Sequence, residues 1–240
     1  MTASPSPRPV ALITGATGNL GTATARTFLA HDWRLVLIDR SADRLPSLFP
    51  ALVDAPDHEL AGGVDVADET AMATLVARTQ ARFGRIDALV NTVGAWRGGR
   101  PVHDEALATW DLMLGVNLRA PLVACRAVIP AMRAQQSGWI VNVASRDGLA
   151  GGAGYAAYSA AKSALIRLTE AMADELKRDG LNVNCVLPGT LDTPQNRAAM
   201  PDVDPVGWVD PAALADVILF LASPAARAIT GAAVPVYGRG

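Results

Sequence analysis

Tyr158 and Lys162 are the two side chains whose types and spacing most directly suggest chemistry in this sequence. They lie four residues apart, and the residues between them, Ser159, Ala160 and Ala161, are all small. On a helix, positions i and i+4 share a face, so the phenol and the ammonium would be neighbours. A nearby ammonium favours the phenolate, so the spacing predicts a lowered tyrosine pKa and proton exchange with an alcohol near neutral pH. An ordinary helix with a surface Tyr and Lys has the same spacing, so the surrounding sequence has to decide.

Ser145 supplies the next part of the pattern. It lies thirteen residues before Tyr158 and directly follows the apolar run 139–144, which predicts a buried strand. Ligands of parallel α/β sheets bind at the carboxyl ends of the strands. The strand is therefore expected to deliver the serine hydroxyl to a binding cleft.

A glycine-rich turn lies near the start of the chain. Residues 10–13 predict a strand, Thr14–Gly21 a turn, and the following Ala/Thr-rich segment a helix to about His31. Strand, glycine turn and helix form the context of a dinucleotide site, where the helix N-terminus meets the pyrophosphate. Glycines alone would be weak support, because tight turns also use them.

Acidic and polar residues follow several predicted strands. Asp39 comes 24 residues after Gly15, where an acid is expected to meet the adenosine ribose; the alternative is a helix N-cap, and Arg40 complicates the choice of cofactor. Asp65 is predicted either to cap the next helix or to bond the adenine amino group. Asn117 lies within an apolar helical region of about 104–136, which predicts a kinked, functional helix because a buried amide needs partners.

Composition and element order indicate the fold class. The chain has 240 residues, half of them hydrophobic, and a net charge of −2. We expect a tail over 1–9 and one domain over 10–240, with the longest loop, about 189–210, serving the substrate. Alternating strands and helices predict an α/β fold: a single doubly wound Rossmann-type domain with about seven parallel strands flanked by helices on both faces.

Composition also argues against several classes of partner. No basic cluster suggests nucleic acid, and no run of 18 apolar residues suggests a membrane span. The three histidines lack the spacing of metal ligands. Cys125 and Cys185 are interpreted as buried thiols of a protein in a reducing cytoplasm.

Taken in order, these pieces resemble the short-chain dehydrogenase/reductase family over about residues 10–238. The pieces that match are Thr14–Gly21, Asp65-Val66, Asn91–Gly94, Asn117, Ser145, Tyr158–Lys162 and Pro188–Thr193. The sequence departs from the family pattern at Asn19, where a glycine is usual, and at Thr92-Val93.

The resemblance implies hydride transfer between a nicotinamide and a carbonyl or carbinol carbon. In that mechanism Tyr158 is the general acid/base, Lys162 holds the nicotinamide ribose and lowers the tyrosine pKa, and Ser145 bonds the substrate oxygen. Asn117 supports a water chain from Lys162 to solvent.

The resemblance also implies two sets of contacts. Cofactor contacts are expected from Gly15, Thr17, Gly18, Asn19, Leu20, Gly21, Asp39, Arg40, Asp65, Val66, Asn91, Gly94, Tyr158, Lys162, Pro188, Gly189, Leu191 and Thr193. Substrate contacts are expected from Ser145, Trp96, Tyr158, Leu191, Met200 and Trp208, although ordinary packing explains the apolar members equally well.

Cofactor, assembly and substrate follow as further expectations. Asp39 favours NAD(H) over NADP(H), and the family suggests a homotetramer or homodimer. A ketone or secondary alcohol is the expected substrate. Two alternatives remain: a pterin reductase, because segments 94–99 and 187–201 resemble dihydropteridine reductase, and a non-catalytic dinucleotide-binding regulator.

Overall fold

Residues 8–239 are described by a computed structural model. The predicted tail 1–9 falls mostly outside this range. Its last two residues are described, and Arg8 pairs with Asp32 at 3.1 Å.

Seven parallel strands form one sheet in the order β3-β2-β1-β4-β5-β6-β7. The strands are β1 Val10–Thr14, β2 Arg34–Asp39, β3 Glu59–Gly62, β4 Ala88–Asn91, β5 Gly138–Val143, β6 Leu181–Pro188 and β7 Ala233–Val236. This sheet confirms the predicted doubly wound Rossmann-type architecture and the strand count.

Eight α-helices surround the sheet in the described part of the chain. They are α1 Asn19–Ala30, α2 Arg44–Leu48, α3 Glu69–Phe83, α4 Leu107–Leu114, α5 Ala120–Gln135, α6 Ala156–Leu176, α7 Pro194–Ala199 and α8 Pro211–Leu221. Helices α1 and α8 pack together on one face, and α3, α5 and α6 cover the other.

Each face of the sheet carries its own apolar core because side chains alternate along a strand. In β1, Val10 and Leu12 join the core under α3, α5 and α6, whereas Ala11 and Ile13 join the core under α1 and α8. All four are fully buried. Burial on both faces explains why the strands read as unbroken apolar runs in the sequence.

The helical region predicted over about 104–136 is interrupted. A π-helical turn at Gly115–Arg119 separates α4 from α5, so the helix is irregular at Asn117, where a kink was predicted. By length and composition Leu107–Gln135 is apolar enough to cross a bilayer, but a core helix passes the same test. Here the buried face of α5, including Val123 and Val128, packs into the core.

Two local expectations differ from the structure. Strand β3 ends at Gly62, so Asp65 lies in the following loop, where it accepts the N–H of Ala67 at 2.9 Å. Helix α3 is capped by Asp68, which accepts from Thr70 and Ala71. The capping role considered for Asp65 is therefore wrong, because the helix begins one turn later than its carboxylate.

Candidate active site

A cleft opens at the carboxyl edge of the sheet, above β1 and β4. The chain reverses its winding direction between these two strands, and the connections diverge there. Two adjoining cavities, of about 550 and 650 Å³, share Gly15, Gly18, Thr92, Gly94 and Ala95 in their lining. Together they form one elongated cleft.

The glycine turn between β1 and α1 forms the floor of this cleft. A Cβ on Gly21 would lie 2.2 Å from the Gly15 carbonyl oxygen, so only glycine lets α1 approach the turn this closely. The helix therefore begins directly at the cleft, with its free N–H groups and positive dipole end available to an anion. This backbone cradle fits a dinucleotide pyrophosphate.

Asp39 is held at the end of β2 by three donors. One carboxylate oxygen accepts from the Thr17 amide at 3.1 Å and the Thr17 hydroxyl at 2.7 Å. The other accepts from the Ser41 amide at 2.9 Å. Asp39 forms no ion pair with another residue of the range 8–239, and it lines the smaller cavity.

Arg44 is a cleft residue that the sequence did not single out. Its guanidinium donates to the Thr17 carbonyl at 2.9 Å, and it lines the same cavity as Asp39 and Arg40. Short helix α2, which carries Arg44, was not predicted from the sequence. Because α2 follows β2, Arg44 lies beside the predicted ribose site as a second cation, in addition to Arg40.

Ser145, Tyr158 and Lys162 converge in the larger cavity. Ser145 follows β5, and the other two project from the first turns of α6. The Lys162 ammonium is buried, donates to the Val143 carbonyl at 2.8 Å, and lies 5.8 Å from the centroid of the Tyr158 ring. The three predicted side chains thus meet at one place.

The electrostatics of this trio differ from the sequence prediction. Burial raises the pKa of Tyr158, the nearby Ser145 hydroxyl partly offsets this, and the Asp147 charge adds to the rise. Burial lowers the pKa of Lys162 to about 8. The predicted lowering of the tyrosine pKa by Lys162 is therefore wrong, because burial of the phenol is the largest effect on its pKa and the ammonium does not offset it.

Asn117 anchors the cleft wall. Its amide donates to the carbonyls of Ala95 at 2.9 Å and Met113 at 3.1 Å, and its oxygen accepts the Ala95 N–H at 3.2 Å. A Cβ built on Gly94 would lie 3.3 Å from the Asn117 oxygen and 3.5 Å from the Lys162 nitrogen. The side chains of Asn117 and Lys162 therefore both lie close to the backbone of Gly94.

Most of the predicted contact residues line the cleft. Those that do are Gly15, Thr17, Gly18, Asn19, Leu20, Gly21, Trp96, Asp39, Arg40, Asp65, Val66, Gly94, Asn117, Ser145, Tyr158, Lys162, Pro188, Gly189, Leu191, Thr193 and Met200. Two predicted residues, Asn91 and Trp208, are absent from this lining.

Asn91 lies beneath the cleft. Its side chain is buried and donates to the Asn142 amide oxygen at 2.9 Å, so it joins β4 to β5. Trp208 lies at the far end of the 189–210 loop, next to Val209, whose backbone pairs with Leu191. The direct contacts predicted for Asn91 and Trp208 do not fit this arrangement, because one side chain points into the sheet and the other lies outside the cleft.

The substrate end of the cleft has an aromatic wall that sequence reasoning found only in part. Trp96 and Tyr155 lie with ring centroids 5.5 Å apart and planes tilted by 49°. Trp96 was predicted, whereas Tyr155, the residue before α6, was not. Both rings are substantially exposed, at 54% and 39%, so they offer apolar surface to a ligand.

Comparison with known proteins agrees with this geometry. Residues 9–204 match the family described as short chain dehydrogenase. The chain is 36% identical over 237 residues to cis-4-hydroxycyclohexanecarboxylate dehydrogenase of Sinomonas cyclohexanicum, covering 95% of each. It is 34% identical over 261 residues to levodione reductase of Leifsonia aquatica, covering 99% of this chain and 98% of that one.

A solved structure has the same fold. "ElxO with NADP Bound" superposes with a TM-score of 0.87 at 25% identity, covering 95% of this chain and 97% of the other. Family match, relatives and fold agree over nearly the whole length. The protein is a short-chain dehydrogenase/reductase, an oxidoreductase of a family that uses NAD(P).

Proposed function

We propose that this protein interconverts a ketone and a secondary alcohol, with NAD(P) as the hydride carrier. The observation that carries the proposal is the convergence of Ser145, Tyr158 and Lys162 beside the glycine cradle. Two relatives support it, because their names describe a ring-hydroxyl dehydrogenase and a reductase of levodione. The bound cofactor would supply the hydride, and this chain would supply position and protons.

Ser145 and Tyr158 would act on the substrate oxygen. As a carbonyl carbon is reduced, its oxygen gains negative charge, and a fixed hydroxyl stabilises that charge more in the transition state than in the ground state. Tyr158 stays protonated at neutral pH because burial raises its pKa, so it is ready to donate its proton to this oxygen. In the oxidative direction the same phenol has to lose its proton first.

Lys162 would return the proton to Tyr158. A pKa of about 8 lets this ammonium release and regain a proton near neutral pH. Asn117 flanks Gly94 together with Lys162 and would support a path from Lys162 to solvent. Lys162 is also the proposed partner of the nicotinamide ribose.

A substrate panel read at the nicotinamide absorbance band tests the proposal. Wild type should reduce ketones, and Ser145→Ala should lower kcat by 10²-fold or more, the scale of one lost oxyanion donor. Ser159→Ala is the matched control, because that buried hydroxyl lies outside the cleft lining and has no hydrogen-bond partner among the described residues. Efficient reduction of quinonoid dihydropterin that tolerates Ser145→Ala, with no ketone reduced, would establish the pterin reductase instead.

We also propose that NADH is preferred over NADPH. Asp39 supports this preference because its fixed carboxylate would accept the ribose hydroxyls and repel a 2′-phosphate. Arg40 and Arg44 line the same cavity and favour the phosphate. Asp39 receives the greater weight because three donors hold it at the strand end, whereas both arginines are exposed.

The ratio of kcat/KM for the two cofactors tests this preference. Wild type should favour NADH, and Asp39→Ala should shift the ratio toward NADPH. If wild type favours NADPH and Arg44→Ala or Arg40→Ala removes that advantage, the arginines decide the cofactor. Arg26→Ala, at an exposed arginine of α1 outside the cleft lining, controls for the loss of one positive charge.

We also propose that the protein assembles as a homotetramer or homodimer and that it is located in the cytoplasm. Cys125 and Cys185 support a reducing compartment because both are free thiols buried in the core.

A further inference from the structure

The short segment after β5 brings a carboxylate into the cleft beside Ser145. Ser145 has an extended backbone, with φ −165° and ψ 154°, and opens a 3₁₀ turn over Arg146–Gly148. The Asp147 amide donates to the Ser145 hydroxyl oxygen at 3.1 Å. One oxygen of the Asp147 carboxylate lies 3.5 Å from the same hydroxyl.

This carboxylate has no structural partner among residues 8–239 other than Ser145. It forms no ion pair within 4.0 Å and caps no α-helix there. The neighbouring Arg146 forms no ion pair with it, and the Arg146 guanidinium lies 5.7 Å from the centroid of the Tyr237 ring. Asp147 is half-buried and lines the cleft. A half-buried charge without a cation is available to a ligand.

The position of the carboxylate defines which part of a substrate it would meet. A carbonyl oxygen held by Ser145 lies about 3 Å from the serine hydroxyl. When the substrate lies on the Asp147 side of Ser145, a substituent on the carbon next to that carbonyl is within reach of the Asp147 oxygen. A hydroxyl or protonated amine there would donate to the carboxylate, whereas a carboxylate there would be repelled and left without a partner.

We propose that Asp147 is a specificity-determining residue that selects carbonyl compounds with a hydroxyl or ammonium group on the carbon next to the carbonyl. The same residue disfavours 2-oxo acids. This inference rests on the proposed ketone reduction and adds the substrate class. The aromatic wall of Trp96 and Tyr155 would receive the apolar remainder of such a substrate.

Three aryl ketones that differ only beside the carbonyl provide the test. They are acetophenone with a methyl group, 2-hydroxyacetophenone with a hydroxymethyl group, and phenylglyoxylate with a carboxylate. For wild type, kcat/KM should be about 10- to 100-fold higher for the hydroxyketone than for acetophenone, the scale of a hydrogen bond to a charged group. Phenylglyoxylate should be the poorest of the three.

Asp147→Asn keeps the backbone amide that bonds Ser145 and removes only the charge. It should reduce the preference for the hydroxyketone over acetophenone at least threefold and improve phenylglyoxylate relative to acetophenone at least tenfold. The ratios carry the test, because the Asp147 charge also raises the pKa of Tyr158 and its removal changes the rates of all three compounds together. Asp216→Asn, an exposed residue of α8 outside the cleft, removes the same charge and should change none of the ratios. Thermal unfolding of each variant checks that the fold is intact.

The outcomes separate this inference from the reaction on which it rests. If wild type reduces acetophenone but its ratios are the same in Asp147→Asn, Asp147 does not select the substrate and only this inference is overturned. If wild type reduces none of the three, the ketone reaction fails. Calorimetric binding of the same compounds to the cofactor-loaded enzyme then still compares wild type with Asp147→Asn. Equal affinities in the two proteins overturn the inference in that case too.

Discussion

At the residue scale, burial of the Lys162 ammonium lowers its pKa, which suits proton transfer, and it also lowers the stability of the fold. One hydrogen bond to the Val143 carbonyl replaces the water that an exposed lysine would keep. Desolvation therefore lowers its pKa from 10.5 to about 8. At neutral pH the folded protein must hold a charge that burial disfavours, and that cost opposes folding.

We therefore predict that Lys162→Met stabilises the cofactor-free protein while abolishing turnover. The unfolded chain keeps the lysine proton up to about pH 10.5, whereas the folded chain releases it above about pH 8. The wild-type unfolding free energy should thus rise with pH between these values, so the variant's advantage, on the order of 3 kcal/mol at pH 7, should shrink toward pH 10. Urea unfolding across this range measures it.

Lys177→Met is the matched control, because Lys177 is exposed beside Asp174. It should change stability by less than about 0.5 kcal/mol. A Lys162→Met variant that is less stable than wild type at pH 7 would contradict the desolvation account.

Tyr158→Phe should remove proton transfer but not cofactor binding. A positioned acid or base contributes about 10²–10⁴-fold to the rate, so kcat should fall by that factor. Cofactor affinity, measured by nicotinamide fluorescence, should stay within threefold. Tyr237→Phe removes a phenolic hydroxyl outside the cleft lining and serves as the control. Wild-type kcat in Tyr158→Phe would exclude this residue as the acid/base.

At the element scale, the π-helical turn joins a helix to the cleft wall. Gly115–Arg119 interrupts the α4–α5 region and places the buried Asn117 amide against the backbone of Ala95. A regular α-helical turn at this position would rotate the residues of α5 to different positions around the helix axis. The irregular turn is stable because each polar end of the Asn117 side chain has a backbone partner.

Asn117→Ala should therefore cost stability and activity together. The substitution leaves the Ala95 N–H and C=O without their side-chain partner, which typically costs about 1–3 kcal/mol. The loosened 94–96 segment should also lower kcat/KM. Asn182→Ala removes two side-chain bonds to the carbonyls of Arg227 and Ile229 away from the cleft, so it should reduce stability alone. Unfolding and kinetics on both variants distinguish the cases, and unchanged kcat/KM in Asn117→Ala would contradict the link to the cleft.

Another contact at this scale connects the two sides of the cleft. The Asn19 amide at the start of α1 donates to the Gln195 side-chain oxygen in α7 at 2.7 Å. Asn19→Ala should speed cofactor dissociation by up to about tenfold, the scale of one neutral hydrogen bond. Stopped-flow release measures the rate, and Gln195→Ala should add nothing once Asn19 is gone. Additive effects of the two substitutions would show that the residues act separately.

At the scale of the whole molecule, the fold leaves the outer faces of α5 and α6 available for assembly. Ala160 and Ala171 on α6 are exposed, and Ala164 between them is partly exposed. We predict a homotetramer, in which symmetric pairing buries this face. Light scattering should give about 100 kDa, four times the chain mass of 25.0 kDa. A mass of 25.0 kDa at micromolar concentration would contradict the prediction, and a mass of about 50 kDa would indicate the dimer.

The sequence by itself determined the order of the strands and of the longer helices, and it identified the chemically active side chains. Unbroken apolar runs and helical spacing are local properties, so the strands, their carboxyl-end residues and the pairing of Tyr158 with Lys162 could be read directly. An irregularity of the helix at Asn117 was also predictable, because an Asn in an apolar helix needs partners, whereas its π-helical form was not. The glycine turn was predictable from its flanking strand and helix.

Only the tertiary structure decided which residues share the cleft and how their charges behave. Arg44 carries no local signal, and it reaches the site because α2 lies beside the cavity that Asp39 lines. Tyr155 and Asp147 are neighbours of Tyr158 and Ser145 in the chain, but only the packing shows that their side chains line the cleft. Asn91 follows the expected motif but points into the sheet, because Asn142 on the neighbouring strand offers it a partner. The pKa of Tyr158 is raised because desolvation depends on everything packed around the phenol, whereas i,i+4 spacing specifies only one neighbour.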